Sequence, residues 1–391
     1  MAGRWVRGSW VVGLALALAG CATTPNRGLD SRFNDASFAP PEEAIRTEDI
    51  FAASPAMQRY LETEIAAELV TKGKQKGLFD AMYERGELTL EYDSTMTRNA
   101  AQAFEARSGN CLSLVILTAA FARELDLAVH FQLVFLDESW TRNNGLEVLN
   151  EHVNVTLGGP RRPGVRAGEL EGKGLTIDFV PADELAKRRT RVISEQTLVS
   201  MYMNNRATEL LAERQLDRAY WWARAAIVNQ PNYLPAHNTL GVVYKQHGDL
   251  DDALSVFDAI LAAEPDNFIS MSNKMLVLRS MGRRADAAVV EARLKQIRPV
   301  PPFHYFDLGV AAMRRDDFAE GKRMFTKAIH RDAFYDKFHF WLALAHYHLG
   351  ELDEARRQLK IAQDTSTTRS DHALYTETLA RLSSGQRVEM D

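Results

Sequence analysis

The stretch LPAHNTLGVVYKQHGDLDDALSVFDAILAAEPDN, residues 234–267, is one copy of a pattern that recurs every 34 residues in the second half of the chain. Prolines keep this spacing at Pro231, Pro265 and Pro299. In the same frame, glycines recur at the predicted turn between two helices, at Gly248, Gly282 and Gly350, and alanines recur where the helices would cross, at Ala219, Ala253, Ala287 and Ala355. A fixed period of this length, with small residues where two helices would cross, predicts a stack of helical hairpins.

The pattern inside the quoted copy resembles the tetratricopeptide repeat, through Gly241, Tyr244, Ala253, Phe257 and Pro265. We predict five units over residues 200–369 and a capping helix and tail over residues 370–391. The units begin near Ser200, Leu234, Phe268, Pro302 and Asp336. The third and fourth depart from the pattern, at Met275 and Gly321. The resemblance implies an all-α solenoid that binds protein or peptide partners.

The region before the repeats has a different pattern. Helical periodicity extends from about Thr47 to Arg107. Short apolar or alternating runs follow, namely LAVHFQLVFL, EHVNVTL and GLTIDFVP, and turn-rich stretches such as ESWTRNNG separate them. Helices followed by consecutive strands predict an α+β domain with an antiparallel sheet, which we place at residues 46–195.

Cys111 lies where one of these helices is predicted to begin. Ser108, Gly109 and Asn110 are residue types that cap helices, and the apolar spacing of a helix starts directly after Cys111. The unpaired N–H groups and the macrodipole of a first helical turn stabilise an anion, so this position favours a thiolate. A buried and inert thiol is the alternative interpretation.

A base and a carboxylate are available on two of the predicted strands. In EHVNVTL the two-residue period turns His152 away from the apolar face of Val153 and Val155. In GLTIDFVP, Asp178 lies between two large apolar residues, which is uncommon in a strand. Taken separately, each has a structural interpretation, as a hydrogen-bonded strand histidine and as the end of an edge strand. His130 is the other early histidine, but its run is apolar on both sides, so we rank it below His152.

The sequence order of these three groups resembles that of the transglutaminase-like superfamily, which has a papain-like α+β core. In that order a thiol lies on a helix, an imidazole on one strand and a carboxylate on the next. The matching positions are Arg107, Gly109, Cys111, Ala119, Arg123, His152, Val155 and Asp178. Asp126 stands where the family usually has glycine, and we find no match to its oxyanion-hole donor. The resemblance implies that Cys111 is the nucleophile, His152 the general base and then acid, and Asp178 the group that orients the ring. It implies a cysteine peptidase, amidase or acyltransferase that uses no cofactor and no metal.

The N-terminus has the pattern of a secretory signal. In MAGRWVRGSWVVGLALALAG, residues 1–20, two arginines precede an apolar run too short to span a membrane. The run ends in Leu-Ala-Gly before Cys21, which resembles a bacterial lipobox and implies a lipid anchor at Cys21; an ordinary signal peptide is the alternative. With Ala22 next, we expect the outer membrane of the cell envelope, facing the periplasm. Residues 21–45, rich in Pro, Asn, Asp and Ser, are predicted to be a flexible tether.

Composition and charge argue against one class of partner and leave one thiol to explain. The 391-residue chain has a formal net charge of −5 and no long run of Lys or Arg, which argues against a protein that binds nucleic acid through phosphates. Its two cysteines are Cys21 and Cys111, so acylation of Cys21 would leave Cys111 as a single thiol.

Two functions remain open from the residues, and the predicted location also permits a third, an accessory factor for peptidoglycan or exopolysaccharide. The leading interpretation is an envelope lipoprotein whose thiol domain hydrolyses or transfers an acyl group on a substrate presented by the repeats. The alternative is a non-catalytic scaffold or assembly factor, in which the papain-like core is a relic and the repeats hold envelope proteins together.

Overall fold

The computed structural model describes residues 32–42, 44–84, 88, 90–135, 140–143, 146–149, 151–158, 174–179 and 189–384. Within them, an N-terminal α+β region precedes an array of paired helices. The predicted signal segment and Cys21 lie outside the described residues.

The N-terminal region consists of short helices around one long buried helix. Its helices are α1 Pro55–Arg59, α2 Ala66–Lys72, α3 Lys74–Phe79, α4 Ala100–Ala106 and α5 Cys111–Glu124, with 3-10 turns at Asp35–Ser37 and Glu48–Ile50 and π-helical turns at Tyr60–Glu64 and Asp80–Glu84. Every residue of α5 from Leu112 to Ala122 is buried. A helix that is buried on all sides lies at the centre of a core, so α5 is the element around which this region packs.

An antiparallel sheet of four strands packs against α5 in the described part of the chain. The strands are β3 Val129–Val134, β6 His152–Gly158, β7 Gly174–Ile177 and β8 Thr190–Ile193, in the order β7-β6-β3-β8. Val155 of β6 lies opposite Phe131 on one side and Ile177 on the other. The antiparallel sheet expected from the sequence is therefore present, and β8 is a strand that the sequence pattern did not predict. A two-residue parallel pair, β1 Glu91–Tyr92 with β2 Ser108–Gly109, lies just before α5.

One prediction for this region is wrong. The stretch ESWTRNNG was predicted to be a turn between strands, but it contributes to a hairpin of β4 Trp140–Asn143 and β5 Leu146–Leu149. Trp140 is buried against Phe268 and Phe303 of the array, so contacts with distant residues order a stretch whose local composition favours a turn.

The array consists of consecutive helix pairs between residues 195 and 365. The pairs are α6 Glu195–Ala212 with α7 Leu216–Asn229, α8 Leu234–His247 with α9 Leu250–Ala263, α10 Phe268–Ser280 with α11 Arg284–Ile297, α12 His304–Met313 with α13 Phe318–Ile329, and α14 Asp336–His348 with α15 Leu352–Thr365. A final helix, α16 Arg369–Ser383, packs against α15. Glycine is needed where two helices cross, because a Cβ on Gly241 would lie 2.6 Å from the ring of Phe257. The repeats predicted for the C-terminal region are therefore confirmed.

The turn inside each pair has the same backbone conformation. The residues with positive φ fall in the 34-residue frame, at Arg214 (61°), Gly248 (106°), Gly282 (73°), Asp316 (58°) and Gly350 (77°). Glycine adopts this left-handed conformation without strain, whereas other residues do so at a cost. The left-handed turn therefore recurs every 34 residues even at Arg214 and Asp316, where the residue is not glycine.

Residues 32–42 differ from the flexible tether predicted for residues 21–45. Phe38 is buried, and its ring stacks on that of Tyr220 at 4.0 Å between centroids. Asp35 accepts hydrogen bonds from Tyr220 Oη at 2.6 Å and Arg224 Nε at 2.9 Å. Phe38 and Asp35 therefore hold this segment on the first repeats, because both contact residues of α7.

The N-terminal region and the array share buried surface. One hydrophobic core extends from Phe38 through α5 to Val277, whereas the helices from Met313 to Leu382 form a core of their own. Among the described residues, no helix is long and apolar enough to cross a membrane.

Candidate active site

The N-terminus of α5 is fixed by side-chain hydrogen bonds on both sides of Cys111. Asn110 Oδ1 accepts from Ser113 N at 2.9 Å, and Asn110 Nδ2 donates to Thr97 Oγ1 at 2.8 Å. A Cβ on Gly109 would lie 2.5 Å from Ser113 Cβ, so only glycine fits before this cap. Cys111 is the first residue of the helix and is half-buried. The thiol therefore lies beside the unpaired N–H groups of a rigid first turn.

His152 lies between Cys111 and Asp178. His152 Nε2 is 2.6 Å from Asp178 Oδ1, and both side chains are buried. The thiol of Cys111 forms a side-chain hydrogen bond with the same imidazole. The structure thus brings together the three residues predicted from the sequence, in the order thiol, imidazole, carboxylate.

Asn154 and Thr156 extend the polar face of β6 on which His152 lies. Asn154 Nδ2 donates to Asp178 Oδ2 at 2.8 Å, so both oxygens of the carboxylate are held. Thr156 is within hydrogen-bonding distance of Thr176, at 2.8 Å, and of Gln132, at 2.7 Å. The face opposite the apolar one is buried as well, and its polar groups bond with one another across the sheet.

The charge of the site depends on these hydrogen bonds. Burial disfavours the charged imidazole, but the hydrogen bonds with Asp178 and Cys111 outweigh burial and raise the pKa of His152 to about 10. A ring in this environment keeps a proton beside the sulfur at neutral pH.

Tyr92 belongs to the site, although the sequence did not indicate it. The parallel pairing of β1 with β2 sets Tyr92 beside Gly109, two residues before the cysteine. Its hydroxyl accepts a hydrogen bond from the Cys111 N–H and contacts the thiol, and burial of the hydroxyl end raises the pKa of Tyr92. Tyr92 as a whole is 42% exposed, so this side of the site faces solvent. Because the pairing joins residues 17 apart in sequence, no local pattern marks Tyr92.

Both ends of the array contact strands that carry the site. Ser94 N donates to Thr367 O at 2.8 Å, and Arg369 pairs with Glu91 at 2.8 Å, on either side of Tyr92 in sequence. Tyr233 of the first repeat loop donates to Glu151 at 2.6 Å, directly before His152. The site therefore lies where the N-terminal region meets the array.

The other predicted positions lie apart from this cluster. His130 lies on β3 opposite Thr156. Asp126, at the family's glycine position, has a φ of 57°, the conformation that glycine prefers. In the part of the chain that the structure describes, no group of three or more His, Cys, Asp or Glu side chains could hold a metal ion.

A comparison with family models identifies a repeat in the C-terminal region. A family model described as tetratricopeptide repeat matches residues 306–368. No curated protein matches the chain. Among solved structures, MamA from Desulfovibrio magneticus is 19% identical, with 44% of this chain and 96% of that chain covered and a TM-score of 0.26. A tetratricopeptide-repeat protein of Thermus thermophilus is 18% identical, with 46% and 99% covered and a TM-score of 0.30. The C-terminal region of the chain contains tetratricopeptide repeats.

Proposed function

We propose that the protein is an envelope lipoprotein whose N-terminal domain, transglutaminase-like in its chemistry, transfers or hydrolyses acyl groups through Cys111. The observation that carries this proposal is the His152 ring, held between the Cys111 thiol at a helix N-terminus and the Asp178 carboxylate. Structural histidines rarely need a thiol and a buried carboxylate on opposite ring nitrogens. An activated cysteine nucleophile needs both.

The chemistry follows from the positions of the atoms. Cys111 attacks the carbonyl carbon of an amide or ester as the thiolate, and the carbonyl electron pair moves to oxygen. The N–H of Cys111 and the Tyr92 hydroxyl donate to that oxyanion once the hydroxyl turns from acceptor to donor. When the tetrahedral species collapses, the C–N or C–O bond breaks and His152 gives its proton to the leaving group. Water or an amine then attacks the carbonyl carbon of the thioester, and His152 takes the proton of the attacking group. The C–S bond breaks, which releases the acid or the new amide and restores the thiolate.

The repeats supply binding. Tetratricopeptide repeats bind protein or peptide partners, and their contacts at Glu91, Ser94 and Glu151 adjoin the site. A partner held by the array would therefore be presented beside Tyr92, the exposed side of the site. The anchor at Cys21 would keep this reaction at the membrane surface.

The rate at which a fluorescent iodoacetamide labels Cys111 tests the catalytic half. At pH 7 we expect labelling at least about tenfold faster than that of a small model thiol, and a loss of about 100-fold in His152→Ala. Asp178→Asn should lie between the two, because the ring loses its orienting carboxylate. The matched control is His130→Gln on the neighbouring strand, which should label like the wild type. Labelling that is slow in the wild type, or equal in His152→Ala, would remove the catalytic assignment.

A non-catalytic scaffold is the second candidate, and it too rests on a specific observation. The helix pairs occupy residues 195–365, and the family match lies largely within them. Partners that co-purify equally well with Cys111→Ala, together with full function of that variant in cells, would favour the scaffold. Loss of function in Cys111→Ala with partners retained would favour the enzyme.

A further inference from the structure

The strongest unassigned feature of the array is an open groove between its third and fourth repeats. It is lined by Phe268, Ile297, Arg298, Pro299, Val300, Tyr305, Lys327, His330 and Arg331, and its volume is about 770 Å³. This volume is in the range of ligand-binding clefts. The groove lies at the helix ends, where α11 and α13 finish and α10 and α12 begin. Because helix ends of both signs meet there, the macrodipoles oppose one another and the side chains decide the local charge.

The described lining of this groove is basic and aromatic, without an acidic side chain. Arg331 donates to the carbonyl oxygens of Pro301 at 2.9 Å and Val300 at 3.3 Å, which are neutral acceptors. The Lys327 ammonium lies 5.4 Å from the centre of the Tyr305 ring. Arg298 lies over the Phe268 ring at 4.3 Å. The contacts of Lys327 and Arg331 leave the charge of both side chains available to an anion.

Basic residues elsewhere on these repeats are placed differently. Arg283 is 2.7 Å from Asp286, and Arg323 is 2.7 Å from Glu320 on the same helix as Lys327. These neighbours neutralise their arginines on the exposed faces. The groove therefore differs from the exposed faces on which Arg283 and Arg323 lie.

The molecule itself shows what kind of segment the array can hold. In the docked segment of residues 32–42, the Asp35 carboxylate accepts hydrogen bonds from Tyr220 and Arg224 of the first repeat. The Phe38 ring of the same segment packs on the rings of Tyr220 and His247. The third and fourth repeats also offer basic side chains for a carboxylate and aromatic rings for an aromatic side chain. The side-chain hydrogen bonds of Asp35 and the ring contacts of Phe38 are with the first two repeats and not with this groove. They also adjoin Trp140 of the N-terminal domain, whose ring lies 5.6 Å from that of Phe268.

We propose that the groove between the third and fourth repeats binds an acidic peptide segment that carries an aromatic side chain. The carboxylates pair with Lys327 and Arg331, and the aromatic side chain packs on Phe268 and Tyr305. This inference rests on the binding half of the proposed function and is independent of the chemistry at Cys111.

Fluorescence anisotropy of the full chain with a labelled peptide tests the proposal. The probe is the heptapeptide Asp-Glu-Asp-Phe-Glu-Asp-Phe, and its partner peptide has Asn and Gln in place of the acids. We expect the acidic probe to bind more weakly as salt rises, and the amide peptide to bind at least about tenfold more weakly. Lys327→Ala should weaken binding about threefold or more, and Lys327→Ala with Arg331→Ala at least about tenfold.

The control variant is Arg283→Ala, which removes one positive charge from the third repeat outside the groove lining and should leave binding unchanged. Thermal unfolding of each variant shows that the repeats remain folded. Equal weakening by Arg283→Ala, equal binding of the amide peptide, or no binding of the acidic probe up to about 1 mM would overturn the proposal. Binding of phosphatidylglycerol vesicles that depends on Lys327, without binding of the probe, would assign the groove to lipid instead. Cys111→Ala should bind the probe like the wild type, so failure of the enzyme and failure of the groove are separable.

Discussion

The two ends of the repeat array are joined to the rest of the molecule in different ways. The first two repeats share one continuous core with α5, and residues 32–42 are docked across them. The last two repeats have their own core and reach the N-terminal region through Trp140 and through polar contacts around Thr367. A continuous hydrophobic core joins the first end to the candidate site, whereas the second end is joined by the smaller cluster around Trp140 and by polar contacts. We infer that the first repeats support the site and that the last repeats are free to respond to a partner.

A pair of equivalent phenylalanines tests this difference most strongly. Phe257 and Phe325 are both fully buried, and each packs on a glycine of the preceding helix, Gly241 or Gly309. Either substitution by alanine should cost about 3–5 kcal/mol. Phe257→Ala should lower the unfolding temperature of the N-terminal region together with the array. Phe325→Ala should release only the last repeats, with protection from hydrogen exchange kept around α5.

Hydrogen exchange resolved by peptide is the measurement for both variants, and each serves as the control for the other. The same pattern of exchange in both would contradict the division into two cores. Loss of protection around α5 in Phe325→Ala but not in Phe257→Ala would mean that the last repeats, and not the first, share a core with α5.

Trp140→Ala tests the hairpin that joins the N-terminal region to the last repeats. The side chain is buried against Phe268, Phe303 and Phe338, so its removal should cost about 3 kcal/mol at that junction. We expect faster exchange in the helices from residue 304 onward and little change around α5. Phe135→Ala is the control, because that ring is 44% exposed. Unchanged exchange in the last repeats would mean that other contacts carry the junction.

The pH dependence of stability tests the core that holds the site. The folded-state pKa of His152 is raised above its ordinary value, so the folded protein binds this proton more tightly than the unfolded chain. The stabilisation is complete below about pH 6.5 and is lost as the pH rises towards the folded-state pKa of about 10. Thermal unfolding should therefore show the wild type losing more stability than His152→Gln between pH 7 and 10. Parallel curves for the two proteins would contradict the raised pKa.

Sequence reasoning succeeded where the signal is local or periodic. The 34-residue frame indicated the helix pairs, and the capping residues before Cys111 indicated where α5 begins. The alternation around His152 separated its polar face from its apolar one. Each of these signals comes from neighbouring residues, which is why one sequence was enough.

The features that were missed depend on residues far apart in the chain. Trp140 is ordered by Phe268, and Phe38 by Tyr220, at separations of more than 100 residues. Tyr92 reaches Cys111 only because β1 pairs with β2. Local composition favoured a turn around Trp140 and a tether around Phe38, but tertiary packing orders both stretches.

The smallest expected effect concerns the turns at the two ends of the array. Arg214 in the first repeat and Asp316 in the fourth adopt the left-handed conformation that glycine has in the other turns. Arg214→Gly and Asp316→Gly should each relieve about 0.5–1 kcal/mol of backbone strain. In Arg214→Gly the gain should raise the unfolding temperature of the whole shared core, and in Asp316→Gly it should raise only that of the last repeats. Gly248→Ala, which introduces the same strain, should lower stability, and a rise in its unfolding temperature would show that the turn conformation is not what limits these repeats.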